Sequence, residues 1–291
     1  MTHAEDVLPS AAGENFPVAL RMLPAKHRQH LFALYCFARL TDDIGDEATT
    51  GNTAPTQQAA SAQQTGLRLK LLDELEADID RIYDGGTPHT PALKPMADTV
   101  RACGIPQQPL RDLIQANRQD QVKTRYETFA ELEQYCTLSA NPIGQIVLWI
   151  FGAATPERIT LSDSICTALQ LAEHWQDVAE DLGNGRIYLP QEDMVRFGCT
   201  EHDLAEPHAG TAVTALLTFE VARARELLTS GAPLVGTLRG AARLAVAGYL
   251  AGGRAALTAI EQHGYDVLAS TPKPGKPRLA AELIKSYLRG R

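Results

Sequence analysis

Among 291 residues, 44% are hydrophobic and 21% charged, enough apolar material for a sizeable core and too much for a disordered chain. The 27 basic and 35 acidic residues leave a formal net charge of −8, which argues against a general nucleic-acid binder. Five widely spaced cysteines, Cys36, Cys103, Cys136, Cys166 and Cys199, contain no Cys-x-x-Cys pair, so neither a disulfide framework nor a zinc site is suggested.

From the start of the chain, residues 1–10 lack the basic-then-apolar profile of a signal peptide. No later apolar run approaches the roughly 20 residues that span a bilayer, and a cytoplasmic protein is expected. After Pro24, the steps between Leu31, Leu34, Tyr35 and Ala38 predict a helix over 26–47. Residues 48–65 are small, polar and of low complexity, and predict a mobile surface loop. Helical patterns follow over 67–83, closed by Gly85-Gly86, then over 109–122, 129–151 and 161–182, the last closed by Gly183. Two long apolar-periodic stretches, 211–230 and 234–263, come next, and no window alternates in the manner of a strand. A single all-α domain over 1–291 is expected.

Two acidic clusters dominate the pattern, Asp42-Asp43-Ile44-Gly45-Asp46 and the stretch from Gln170 to Asp181 with Glu173, Asp177, Glu180 and Asp181. Helical residues four apart stack one above the other, so Asp42 with Asp46, and Glu173 with Asp177 and Asp181, form carboxylate stripes. Magnesium takes oxygen ligands, and two such stripes facing each other would hold it against a diphosphate. A lone acid pair at this spacing is more often a solvated helix face. Here each stripe lies among apolar residues, Leu169, Leu171, Trp175 and Val178 in the second, and buried unpaired acids are costly. Arg39, three residues before Asp42, is placed to pair with that acid or to grip a phosphate. Arg186 and Tyr188, in Gly185-Arg186-Ile187-Tyr188-Leu189-Pro190, are placed over the carboxylates as phosphate donors, although such a stretch is often only a helix exit. Tyr35, Tyr135 and Phe16 read singly as core aromatics. His174 sits beside the stripe and is not expected to be a ligand.

Asp42-x-x-x-Asp46 preceded by Tyr35 and Arg39, together with Gln170 to Pro190, resembles the squalene and phytoene synthase family. Glu14-Asn15-Phe16-Pro17-Val18, Ser139-Ala140-Asn141-Pro142-Ile143-Gly144, Arg186 to Asp193 and Val246-Ala247-Gly248 look most like its bacterial hydroxysqualene synthase branch, in hopanoid biosynthesis. The resemblance covers nearly the whole chain and implies an all-helical isoprenoid synthase domain with a central cavity and Mg2+-assisted departure of diphosphate. Asp42 and Asp46 match the family's first aspartate-rich motif, Asp177 and Asp181 the second, and Asp120 a further acid near the metals. Arg39, Arg186 and Tyr188 match diphosphate contacts. Phe16, Tyr35, Tyr135, Ala140 and Gly144 match positions lining the prenyl channel, and Gln170 a polar residue at its metal end. Three positions depart from relatives: Glu173 stands where Asn is usual, Gly13-Glu14 where many carry Ser-Lys, and Asn141-Pro142 where a Gly-Thr-like pair is common. Proline in a helix interior can kink it.

The reaction so implied converts presqualene diphosphate and water to hydroxysqualene and diphosphate, with Tyr35, Tyr135 or Asn141 positioning the water. One alternative is condensation of prenyl diphosphates, farnesyl diphosphate among them, to presqualene diphosphate, squalene or phytoene; another is a catalytically silent helical partner subunit. Residues 273–291 combine six basic side chains with Leu279, Leu283, Ile284, Tyr287 and Leu288. Such a basic amphipathic helix suits peripheral contact with the inner, anionic face of a membrane, the plainer reading being a solvated terminal helix.

Overall fold

Helix α1, Ala25–Asp46, begins immediately after Pro24, whose carbonyl accepts the His27 and Arg28 N–H groups at 3.0 and 3.2 Å. The computed structural model describes residues 23–46 and 57–289, apart from the side chains of 46, 57–62 and 289. Among the described residues there are helices and turns but no strand. The chain divides into two compact units, Met1–Lys123 and Thr124–Arg291, where the sequence reads as one domain without an obvious linker.

In the first unit, α1 is followed by α2, Gln57–Tyr83, a 3-10 turn at Pro91–Leu93, α3, Lys94–Cys103, and α4, Gln108–Asp120. Their apolar stripes meet at Leu31, Leu34 and Phe37 of α1, Leu72 and Ile79 of α2, Met96 of α3, and Leu110 and Ile114 of α4, each at most 2% exposed. Buried Asp78 accepts the His89 and Thr90 N–H groups at 2.8 and 2.7 Å, tying the turn after α2 back onto that helix. The loop expected over 48–65 is corrected for 57–65, which are helical. Ala and Gln favour helix even where a stretch lacks apolar periodicity; the remainder of that range lies outside the described residues. Helix α3 has no counterpart in the sequence reading.

The second unit begins with α5, Phe129–Ser139, α6, Asn141–Ile150, and α7, Pro156–Gln176. Thr128 and Thr155 cap α5 and α7, accepting from Glu131 N at 3.2 Å and Arg158 N at 3.3 Å. After α7 come α8, Val178–Gly183, α9, Gln191–Phe197, α10, Glu201–Leu204, and α11, Thr211–Gly231. The unit closes with α12, Leu234–Thr237, α13, Gly240–Gln262, and α14, Lys276–Arg289. Three expected helices are interrupted. The helix expected over 129–151 breaks at Ala140, so Pro142 opens α6, where its missing N–H costs nothing, instead of kinking a helix interior. The 161–182 helix starts earlier, at Pro156, and breaks at Asp177 (φ −107°, ψ 18°). The 234–263 stretch parts at Leu238, whose backbone is extended.

Helix α7 packs against α6, α11 and α13. Glycines permit the close approaches: a Cβ on Gly231 would lie 2.6 Å from the Leu161 carbonyl oxygen, and one on Gly253 2.7 Å from Leu169 Cδ2. Because the obstacle at Gly231 is backbone, Gly231→Ala is expected to destabilise the protein by about 1–3 kcal/mol. A thermal melt checks this, and an unchanged midpoint would show that α7 and α11 separate freely.

A carboxylate cluster at a helix break as the candidate functional site

The break at Asp177 shapes the second acidic cluster. Glu173 is exposed in the last turn of α7, Asp177 half-buried at the junction, and Asp181 half-buried in α8. Asp177 N donates to Glu173 O at 3.0 Å and Asp181 N to Asp177 O at 2.8 Å, so the three acids stay in register across the break. On the other side of this segment, Leu171 and Trp175 are wholly buried and Val178 nearly so. Burial pushes the Asp181 carboxyl up to about 7, and the charges of Asp177, Glu180 and Glu173 add to the rise, with Arg186 opposing it. Asp177 is raised as well, first by burial and then by Glu180.

Arg186 is set by backbone. Its N–H donates to Asp181 O at 2.8 Å, after Gly185 at φ 78°, a conformation that favours glycine. Ile187, Gln191 and Glu192 then donate from their backbones to Thr124, Tyr126 and Glu127 at 2.9, 2.9 and 3.0 Å, fastening the segment along residues 124–127. Farther along, Arg223 reaches Asp193 at 2.8 Å and Glu220 at 3.3 Å, locking α9 to α11.

Beside the acids stands a cluster of rings. His174 and Tyr188 stack with centroids 3.7 Å apart and planes 12° from parallel. Tyr126 stacks on Tyr188 at 5.8 Å, and Tyr135 lies 5.6 Å from Tyr126 and 5.9 Å from Tyr188. Burial holds the His174 imidazole down to about 3, so it is neutral at physiological pH. Gln170 lies one turn earlier, its Nε2 3.3 Å from His174 Nε2. Tyr188 is thus an element of a buried aromatic stack.

Other expected site residues fall at the crossing of α6 and α7. Asn141 accepts from Thr167 Oγ1 at 3.0 Å, both buried. Gly144 lies hard against Ser162 and Cys166 of α7, so its lack of a side chain serves helix packing, and Ala140 is the buried residue at the helix break. In the first unit, Asp42 is exposed on α1 and receives a long hydrogen bond, 3.4 Å, from Asn117 Nδ2 of α4. Gln121, next to Asp120 at the end of α4, donates to Gly45 O at 3.1 Å, which brings Asp120's end of α4 to the acidic turn of α1. Arg39 pairs with Asp43 at 2.7 Å, so of the two roles the sequence left open, pairing with Asp42 or gripping a phosphate, the pairing falls instead to Asp43, four residues on and directly above it. Tyr35 is buried two turns before Asp42. Phe16 and the side chain of Asp46 lie outside the described residues.

Two functional candidates escaped the sequence reading. Thr271 hydrogen-bonds the Asp177 carboxylate and Lys273 sits close enough to lower its pKa, while Gln176 Nε2 donates to Pro272 O. Residues 271–273 therefore return over the second cluster from nearly 100 positions away, a contact that no local pattern announces. Among the described residues no ready-made group of three His, Cys, Asp or Glu side chains encloses a metal. The donor set nonetheless fits a hard divalent cation: Glu173, Asp177, Glu180 and Asp181 offer oxygen only, and their mutual repulsion is what a cation would relieve.

The sequence matches the squalene/phytoene synthase family over residues 10–279. It is 32% identical over 228 residues to a hydroxysqualene synthase of Rhodopseudomonas palustris, covering 78% of this chain and 72% of that one. A 15-cis-phytoene synthase of Synechocystis is 29% identical over 278 residues, 90% of this chain and 78% of the relative. In structure, the squalene synthase HpnC from Alicyclobacillus acidocaldarius superposes with a TM-score of 0.74 at 36% identity, over 90% of this chain and 94% of the other. The fold is that of the all-α isoprenoid synthases.

The raised Asp181 carboxyl has a consequence for stability. Its folded value of about 7 exceeds the ordinary 3.8, so ionising it costs the fold progressively from pH 4 to 7 and fully above. In chelator-treated protein, Asp181→Asn is expected to melt about 5 °C above the wild type at pH 8 and to lose that advantage near pH 4. Parallel melting curves across this range would contradict the assignment.

Proposed function

The chain belongs to the squalene/phytoene synthase family, whose members act on prenyl diphosphates, and from that premise we propose that it converts presqualene diphosphate and water to hydroxysqualene and diphosphate. The observation that carries the reading is the sequence of environments in the second unit. Half-buried carboxylates with Arg186 and Lys273 give way, one residue along from Glu173, to the stack of His174, Tyr188, Tyr126 and Tyr135. Arg186 and Lys273, with a cation held by these acids, would supply the counter-charge for an anionic leaving group, next to aromatic rings compatible with a hydrocarbon cation. The relatives named hydroxysqualene synthase support it at 31–32% identity.

In this reading the acids of each unit would hold magnesium, Asp42, Asp46 and Asp120 in the first and Glu173, Asp177 and Asp181 in the second, with Arg39 in the first and Arg186 and Lys273 in the second as the cations for diphosphate. Bound magnesium neutralises the diphosphate and makes it a leaving group. Its departure with the C–O bonding pair leaves a cyclopropylcarbinyl cation. The Tyr135 ring would stabilise that cation, and the neutral His174 adds no competing charge. The cation rearranges, and Tyr135, Tyr35 or Asn141 orients the water whose oxygen forms the new C–O bond as a cyclopropane C–C bond breaks to open the ring, the surplus proton leaving with diphosphate. The product is an intermediate on the way to hopanoids, and the protein acts as a carbon-oxygen lyase.

A second reading, head-to-head condensation of prenyl diphosphates such as farnesyl diphosphate, is favoured by the longer stretch over which phytoene synthases match. Product analysis separates the two. With magnesium and no nicotinamide cofactor, purified protein is expected to form hydroxysqualene from presqualene diphosphate and nothing from farnesyl diphosphate. Presqualene diphosphate or a longer hydrocarbon from a prenyl diphosphate would move the chain to the condensing reaction, and silence with both substrates would sink the catalytic reading.

A further inference from the structure

Helix α14 is fastened to the second unit by one side only. Ser286 is 2% exposed and accepts from Arg254 Nη1 at 2.9 Å, and the Tyr287 carbonyl accepts from Arg243 Nη2 at 2.6 Å. The Arg243 guanidinium also lies 4.7 Å from the centre of the Tyr287 ring. At 100° per residue, Pro277, Ala281, Ile284 and Leu288 fall on one narrow stripe directly opposite Ser286. All four are exposed, Ile284 by 61% and Leu288 by 53%. The helix is therefore amphipathic in a second sense: after its packing needs are met, an apolar ridge still faces outward.

Charge flanks that ridge. Lys276 and Lys285 are exposed on either side of it and Arg278 is half-exposed, with Lys273 just before the helix. Residues 273–291 carry six basic side chains against one acid, Glu282, in a chain that as a whole has 27 basic and 35 acidic residues. Glu282, the single acid of that stretch, is half-buried and pairs with Lys285 at 2.9 Å. No described helix is long and apolar enough to cross a membrane. A narrow apolar ridge within a positive field complements an anionic bilayer surface, which offers negative headgroups directly above an apolar interior.

We propose that α14 is a membrane-docking helix that lays its Pro277, Ala281, Ile284 and Leu288 ridge into an anionic bilayer surface, with Lys276 and Lys285 among the headgroups. The helix is already folded and anchored in the protein, so docking costs no ordering of the segment. The inference does not depend on which prenyl reaction the protein performs, and its test uses no substrate.

The test is flotation of the full chain with vesicles. Wild-type protein is expected to partition onto vesicles containing phosphatidylglycerol about ten-fold more strongly than onto pure phosphatidylcholine, and less strongly as salt rises from about 0.1 to 0.5 M. The double substitution Ile284→Ser with Leu288→Ser, at exposed positions, is expected to weaken partitioning about ten-fold at an unchanged melting temperature. Lys276→Glu with Lys285→Glu is expected to remove the preference for anionic lipid. Absence of wild-type binding to either vesicle overturns the proposal, as does unchanged binding by both variants. A wild-type dimer that the Ser variant converts to monomer, without vesicle binding by the wild type, would instead give the ridge to a second copy of the chain.

Discussion

Repulsion among carboxylates that are partly removed from water is the constraint on which the candidate site is built. Glu173, Asp177, Glu180 and Asp181 crowd the junction of α7 and α8, and the consequence is visible in Asp181, whose carboxyl is raised toward neutrality. A protein gains nothing in stability from such an arrangement; it is tolerated where a cation is to be received. The surrounding features follow from that constraint. Gly185 turns the chain so that Arg186 comes back against Asp181, and residues 271–273 return with Thr271 and Lys273 against Asp177. Each supplies part of the neutralisation and leaves the rest to a ligand.

The ring cluster is the second half of the same design. His174 belongs to the helix that carries Glu173, but it points into the interior, where desolvation keeps it neutral and Tyr188 covers its face. Tyr188 is held there by the hydrogen bonds that run from Ile187 to Glu192 along residues 124–127. A single short stretch, Arg186 to Tyr188, thus joins the charged region to the aromatic one. Just beyond it, the ion pairs of half-buried Arg223 with buried Asp193 and Glu220 tie α9 to α11.

Much of this was legible in the sequence, and the parts that were not share a physical character. Helical periodicity identified α1, α4, α7 and α11 because each buries a continuous stripe, Leu31, Leu34 and Phe37 in α1 being an example. Periodicity cannot register a break that preserves it: Asp177 interrupts the backbone without disturbing the spacing of Trp175 and Val178, so α7 and α8 read as one helix. Ala140 and Leu238 were invisible for the same reason. The acids themselves were evident from spacing. Three- and four-residue partners are equivalent on paper, so spacing alone does not choose between Asp42 and Asp43 for Arg39, and the structure pairs it with Asp43. Lys273 and Thr271 were out of reach, since a contact with Asp177 across nearly 100 residues depends on the path of the whole second unit. The burial of Tyr188 has no local signal, since it depends on the rings of Tyr126 and His174 being brought around it.

The central claim is that the cluster around Asp181 is poised to take up a divalent cation, and metal binding to such a site must displace the proton that desolvation and repulsion keep there. Calorimetric titration of Mg2+ alone into the protein near pH 6, in two buffers of different ionisation heat, counts that proton. The account predicts release of about one proton on binding, and none from Asp181→Asn. Magnesium binding with no proton released by the wild type, or equal release from the variant, would contradict it.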